Sequence, residues 1–275
     1  MIFLILSGGL GNQMFQYAAA RALALRTGKT MIMNTSFFLL NTRNTTPRLY
    51  ELDLFQLPND IPLKSSYLQS FFLHFLYPRI KNTMFGKCFL QNPDTLFGYF
   101  QSETYFKDAE EQIRNDFRFK LPLIGGNERI AEEMKQSTSV SIHVRRGDYI
   151  TNKYAKEHFL PCPINYYRQA INYLLEKTDN PQFYVFSDEP DWAREHLPLP
   201  NATFVDWNKG KDSWVDMQLM SLCQHNIIAN SSFSWWGAWL NPHPEKIVIA
   251  PAEWLKDKKA NANISDLIPK KWIRL

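Results

Sequence analysis

The sequence predicts an α/β protein whose C-terminal half is a doubly wound parallel sheet, and three observations predict it. From residue 139 apolar strand segments alternate with helical ones, the chain opens on a strand, a glycine loop and a helix, and polar residues cluster where strands end. The 275 residues suit one large or two modest domains, because cores rarely grow past roughly 250 residues before chains split. With 45% hydrophobic and only 21% charged residues, the chain lies far from the composition of disorder.

In chain order, residues 2 to 6 read as a buried strand, 7 to 12 as a glycine loop, and 13 to 27 as a helix. Met14, Ala18, Ala22 and Leu25 share one face of that helix, and Gly28 closes it. Met31 to Asn34 reads as the next strand, completing a unit of the kind that begins nucleotide-binding domains. Residues 35 to 97 are rich in Phe, Leu and Tyr but broken by Pro47, Pro58, Pro62, Pro78 and Pro93, which predicts short helices and irregular connections. Gly98 to Ser102 reads as a strand end and Tyr105 to Phe119 as a helix with Phe106, Ile113 and Phe117 inward. Gly125, Gly126 and the polar Gln136 to Thr138 bracket a domain crossing, giving domains 1–136 and 137–275.

Beyond the crossing, strands are expected at 139 to 145, 183 to 187, 203 to 206, 226 to 230 and 246 to 250. Helices are expected at 164 to 177, 190 to 196, 213 to 224 and 233 to 240. In an open parallel sheet of this kind ligands bind outside the carboxyl ends of the strands, so the chemistry is expected just after each one.

Composition excludes several classes. Thirty-one Lys plus Arg against 27 Asp plus Glu leave +4, too weak an excess to indicate nucleic-acid binding. Cys88, Cys162 and Cys223 are odd in number and far apart, so neither a disulfide framework nor a zinc site is expected, and a reducing compartment is. The apolar N-terminus falls far short of the roughly 18 residues of a span and has no basic flank. Without a secretory signal the sequons at Asn44, Asn201, Asn230 and Asn263 read as chance matches.

The strand Ser139 to Arg145 alternates, with Val140, Ile142 and Val144 on one side and Ser141, His143 and Arg145 on the other. A buried His and Arg are costly to desolvate unless a partner waits, and an arginine fork suits a phosphate. The competing reading is an internal ion pair of Arg145 or Arg146 with Asp148. The strand from His225 runs into Ser231, Ser232 and Phe233; Ser231 or Ser232 is a good N-cap, and the helix start offers N–H groups to a phosphate. Trp235, Trp236 and Trp239 read as packing residues. Asp188 ends a third strand, where a carboxylate could accept the N1–H and N2–H of a guanine or cap the helix near Pro190. The loop Ser7 to Gln13 lacks the Walker lysine and the last glycine of a dinucleotide fingerprint, though its glycines permit close approach to a ligand, with Asn12 or Gln13 projecting amides into a cleft. No Asp-x-Asp occurs, and His74, His158, His196 and His243 read as surface or packing residues.

Five segments together carry a resemblance: Gly8 to Tyr17, Gly98 to Ser102, His143 to Tyr149, Phe186 to Asp188 and Ser231 to Gly237. In this order they resemble bacterial-type α-1,2-fucosyltransferases of glycosyltransferase family 11. The resemblance implies a GT-B-like pair of Rossmann-like domains facing a cleft, with the donor in the C-terminal one. It also implies metal-independent, inverting transfer of L-fucose from GDP-fucose to the 2-hydroxyl of a galactoside, with no cofactor beyond the donor itself. Arg145 would then hold the donor diphosphate, His143 and Asp188 the guanosine end, and Ser231, Ser232 and Phe233 the phosphates. Asp148 is the best-placed carboxylate for the acceptor proton, or orients an arginine. Asn12 would position the acceptor, with Gly11, Gln13 and Gln101 lining the cleft. Another GDP-sugar transferase, such as a protein O-fucosyltransferase, and a non-catalytic nucleotide-sugar or carbohydrate-binding protein are the competing classes.

The basic excess can be located. Residues 61–93 contain Lys64, Arg79, Lys81 and Lys87 and no Asp or Glu, leaving the rest neutral at 27 against 27. With Phe71, Phe72, Phe75, Leu76 and Tyr77, the segment is expected to rest on an anionic membrane carrying a lipid-linked, galactose-terminated acceptor, or to pack as ordinary core. The expected location is cytoplasmic, peripheral at the inner membrane face.

Overall fold

A computed structural model describes residues 1–40, 47–80, 93–197, 199 and 201–275, so Cys88, Lys81, Lys87 and the sequon at Asn44 lie outside the described residues. The chain divides into two compact units, Met1–Leu121 and Pro122–Leu275. The division precedes residue 136 because the helix Gly126–Lys135 packs on the helix Trp214–Leu222 of the second unit.

In the first unit, parallel strands β1 (Ile2–Ile5), β2 (Met31–Asn34), β3 (Leu63–Lys64) and β4 (Thr95–Leu96) form a sheet in the order β3-β2-β1-β4. The chain steps outward from β1 to β3, then returns to place β4 on the other side of β1. The switch point therefore lies between the ends of β1 and β4. The first helix, Leu10–Thr27, begins three residues earlier than expected and ends at Gly28, whose φ of 63° suits a glycine cap. Met14, Ala18 and Ala22 are buried as expected, whereas Leu25 is 45% exposed, since the last turn passes beyond the core.

The expected strand at Gly98 to Ser102 is instead the bent connection after β4, with Phe100 at a positive φ of 49°. The expected helix from Tyr105 to Phe119 is broken into two 3-10 turns and the helix Glu110–Asp116, with Phe106 in an interrupting conformation, yet Phe106, Ile113 and Phe117 are buried as expected. Buried Asp116 holds these pieces to the first helix, accepting from Tyr17 Oη at 2.8 Å, Arg21 Nε at 3.1 Å and Gln112 Nε2 at 2.8 Å.

In the second unit, β5 (Ser139–Val144), β6 (Gln182–Ser187), β7 (Thr203–Val205), β8 (His225–Ile227), β9 (Val248–Ala250) and β10 (Ile273–Arg274) are parallel, ordered β10-β9-β8-β5-β6-β7. This is the doubly wound order that the five expected strands implied, extended by β10. Its switch point lies between the ends of β5 and β8. Strand β5 is buried throughout, as a central parallel strand requires. Val140, Ile142 and Val144 join Tyr167, Ala170, Leu174, Val185 and Ile249 in the core. Two short helices, Gly147–Thr151 and Lys153–His158, follow β5 where the sequence indicated nothing regular. Among the described residues no helix is long and apolar enough to cross a membrane.

Candidate active site

At the end of β5 two adjacent arginines diverge. Arg146 lies 3.8 Å over the Trp192 ring centre and bonds Glu189 through Nε at 3.1 Å, so stacking and charge fix it to the helix Pro190–His196. Arg145 instead meets two acids, Asp148 Oδ2 at 2.8 Å from Nη2 and Asp188 Oδ2 at 3.2 Å from Nη1. The ion pair left open in the sequence is thus formed by Arg145, and Asp148 orients it. Burial disfavours the Arg145 charge, but Asp188 and Asp148 outweigh it and raise its pKa.

Asp188 does not cap the helix at Pro190, where Glu189 is the cap residue. Its oxygens accept from the backbone N–H of Arg146 at 3.0 Å and Gly147 at 2.9 Å, across from the neighbouring strand end. These are donors that the start of the short helix leaves without partners. The Asp188 carboxylate is therefore engaged with the Arg145 loop rather than open to a base. Burial raises its pKa, with Arg145 the main opposing influence.

His143, only 6% exposed, packs its ring 5.9 Å from Phe233 across the switch point. Burial first, then the Arg145 charge, pushes its pKa down to about 3, so the imidazole is neutral at physiological pH. Its Nδ1 is buried with no hydrogen-bond partner among the described residues. Ser231 is the N-cap of the helix Ser232–Leu240, its Oγ accepting from Phe233 N at 3.3 Å. Ser232 and Phe233 are partly exposed at this helix start, whereas Trp235 and Trp236 are fully buried, the packing role expected of them. Tyr149 Oη donates to Asn230 O at 2.7 Å and so ties the Arg145 loop to the serine loop.

Asp216 carried no signal in the sequence beyond an acid in a helix first turn. It follows β7 on the helix Trp214–Leu222, with Asn208 Nδ2 donating to Oδ1 at 2.8 Å. Burial pushes its carboxyl up to about 7, the Asn208 bond pulling the other way. Asn208 and Trp207 are in turn held by Asn127.

In the first unit the glycine loop and the Gly98 to Ser102 connection meet at the switch point, where Gln101 Nε2 donates to Asn12 Oδ1 at 2.8 Å. Gly8 has φ +78°, and a Cβ there would lie 2.8 Å from Asn12 Nδ2, so glycine lets the amide lie over the loop. Gln13 corrects an expectation. It is fully buried, its Nε2 donating to Gly8 O and Leu49 O and its Oε1 accepting from Glu51 N, because the helical turn carries it inward. Gly11 is likewise buried in the first helix. Two residues missed in the sequence stand beside this loop. Arg48 places its guanidinium 3.4 Å from a Cβ built on Gly9. Glu51 is half-buried near Arg48 and accepts from the backbone N–H of Leu10; burial raises its pKa and the Arg48 charge opposes it.

Comparisons follow the same lines. The family described as Glycosyl transferase family 11 matches residues 2–275. The chain is 34% identical to the O-antigen biosynthesis glycosyltransferase WbnK of Escherichia coli, over 98% of this chain and 99% of the relative. It is 34% identical to an alpha-1,2-colitosyltransferase of Escherichia coli, over 98% and 97%. It is 26% identical to galactoside alpha-(1,2)-fucosyltransferase 1 of Plecturocebus brunneus, over 85% of this chain and 63% of that one. The crystal structure of the fucosyltransferase NodZ from Bradyrhizobium superposes with a TM-score of 0.55 at 14% identity, over 88% and 93%, a likeness of fold alone.

Proposed function

Because this chain belongs to glycosyltransferase family 11, we propose that it transfers L-fucose from GDP-fucose to the 2-hydroxyl of a galactoside, with inversion and without a bound metal. The observation that carries the reading is Arg145, held by two carboxylates at the switch point of the second sheet, on the strand next to the one that leads into the serine-capped helix. As the acceptor oxygen attacks C1, the bond from C1 to the phosphate breaks on the opposite face and negative charge grows on the β-phosphate. A fixed guanidinium and N–H groups at a helix start meet that charge without reorganising, each worth roughly 3 to 4 kcal/mol in the transition state.

Base recognition we assign to Asp216 rather than to Asp188. Asp188 already accepts from two backbone N–H groups and Arg145, while Asp216, at the carboxyl edge after β7, accepts from Asn208 and retains lone pairs for N1–H and N2–H of guanine. His143, neutral and buried, packs beside Phe233 and keeps a second cation away from Arg145. The attacking hydroxyl must also lose a proton. Asp148 is held by Arg145, and we assign that step instead to Glu51, whose carboxyl pKa is raised by burial beside the glycine loop. Asn12, fixed by Gln101, orients the acceptor.

The colitosyltransferase relative favours one second reading, a GDP-colitose donor, which lacks the fucose 3-hydroxyl. Incubation with each GDP-sugar, free galactosides and serine-containing peptides, with the product linkage read by NMR, tests both. An α-1,2-fucosyl galactoside is the expected product. A colitosyl product alone supports the second reading, transfer only to peptide points to a protein O-fucosyltransferase, and no GDP release from any pair leaves a binding protein.

A further inference from the structure

One helical segment of the first unit is amphipathic the wrong way round for a soluble surface. After β3 the chain runs as the helix Tyr67–Phe71, a π-helical turn Phe72–Leu76 and the helix Tyr77–Ile80. A surface helix ordinarily turns its apolar stripe to the core and its polar face to water. Here several contacts that fix the segment are polar. Asn34 Nδ2 and Ser36 Oγ donate to Gln69 Oε1 at 2.7 and 3.2 Å, and His74 Nε2 lies 2.9 Å from Phe37 O with its ring 4.3 Å from the Phe37 ring. Among the described side chains of the segment, only Ser70 and Leu73 are buried. The outer face carries Tyr67, Leu68, Phe71, Phe75 and Leu76, 70%, 79%, 49%, 41% and 46% exposed, joined by Leu63 of β3 at 52%. Positions 67, 68, 71 and 75 follow helical spacing, so the exposed rings form a stripe rather than isolated residues.

Charge selects the occupant. Exposed Lys64 and Arg79 flank the stripe, and between residues 61 and 93 the sequence has four basic residues and no acid. A second copy docked on this face would bring like charges together. A surface of anionic headgroups over acyl chains complements both the cations and the rings. We propose that the outer face of Tyr67–Ile80, flanked by Lys64 and Arg79, docks on an anionic lipid bilayer and holds the protein at the membrane surface without crossing it.

The test uses the full chain and sedimentation with vesicles of phosphatidylcholine alone or mixed with phosphatidylglycerol, at low and high salt. Binding is expected on the anionic vesicles at low salt, weakened by salt and by neutral lipid. Because the substituted side chains are exposed, variants should fold, which circular dichroism and melting temperature check. Phe71→Ser with Phe75→Ser should cut partitioning on the order of tenfold or more. Lys64→Gln and Arg79→Gln should each cut it about fivefold on anionic vesicles only. Failure to bind the anionic vesicles overturns the proposal, as does binding that neither set of variants alters. Sedimentation equilibrium in the absence of lipid would also overturn it if it showed a dimer that the Phe71→Ser, Phe75→Ser variant dissolves while vesicle binding is unchanged.

Discussion

Asp188 Oδ2 accepts the Gly147 N–H at 2.9 Å, and a Cβ built on Gly147 would lie 2.9 Å from that same oxygen. The glycine is needed for close approach of a carboxylate that also holds Arg146 N and Arg145. Asp188 is too short to yield while keeping those bonds. Gly147→Ala should therefore raise the Kd for GDP about tenfold, and crowding of this kind typically costs about 1 to 3 kcal/mol of stability. Calorimetric titration with GDP and thermal melting check it; unchanged values for both would show that the loop tolerates displacement of Asp188.

The two neighbouring arginines should separate cleanly. Arg145→Ala removes the proposed partner of the leaving phosphate and leaves Asp148 and Asp188 without their shared cation. Its kcat should fall on the order of 100-fold or more. Arg146→Ala loses the Trp192 stack and the Glu189 bond, and should lower the melting temperature more than kcat. Steady-state kinetics on folded variants decide, and a kcat for Arg145→Ala within a few-fold of the parent would remove the assignment.

That pair also shows where sequence reasoning reaches and where it stops. Strand β5 and its polar end were legible, because alternation and burial leave their mark on consecutive residues. Which arginine pairs with Asp148 was not, since Arg146 is drawn away by Trp192 and Glu189, more than forty residues later. Asn12 and Gln13 differ in the same way: one helical step buries Gln13 against Leu49 and Glu51 and leaves Asn12 to meet Gln101. The two-residue strands β3 and β10 exist by pairing with β2 and β9, and no local propensity announces them. Asp216 resembles any acid in a helix first turn until its burial is seen.

The proposed contact of Asp216 with guanine predicts pH-dependent donor binding. Burial, opposed by the Asn208 bond, holds its carboxyl at about 7 in the free protein. Guanine N–H donors require the ionised form, so GDP should lower this pKa on binding. Affinity is then full above pH 7 and falls as pH drops through about 7, by up to about tenfold per unit. Stability runs the other way. The folded pKa is above the unfolded value, so the contribution is present at low pH and is lost as pH rises through about 7. Asp216→Asn should bind GDP weakly with a flat profile between roughly pH 6 and 8, and should no longer prefer GDP to IDP, which lacks the N2–H donors. Calorimetry of both nucleotides across that range tests it; a parent profile as flat as the variant's would place base recognition elsewhere.

The acceptor proton separates Glu51 from Asp148. Asp148 lies 2.8 Å from Arg145, so Asp148→Asn should act by loosening the guanidinium, lowering kcat while leaving the pH dependence in place. Glu51 is half-buried near Arg48, with burial the dominant influence raising its carboxyl above the ordinary value. A base must be ionised, so kcat/KM of the parent should fall as pH drops through that raised pKa. In Glu51→Gln the acidic limb should disappear and kcat should fall roughly 100-fold to 10,000-fold, with GDP affinity retained. Glu51 backbone N also donates to Gln13 Oε1, a bond the substitution preserves, so collapse of the loop is not the expected cause of any loss. Persistence of the acidic limb in Glu51→Gln and its removal in Asp148→Asn would transfer the proton to Asp148 and leave Arg145 oriented by Asp188 alone.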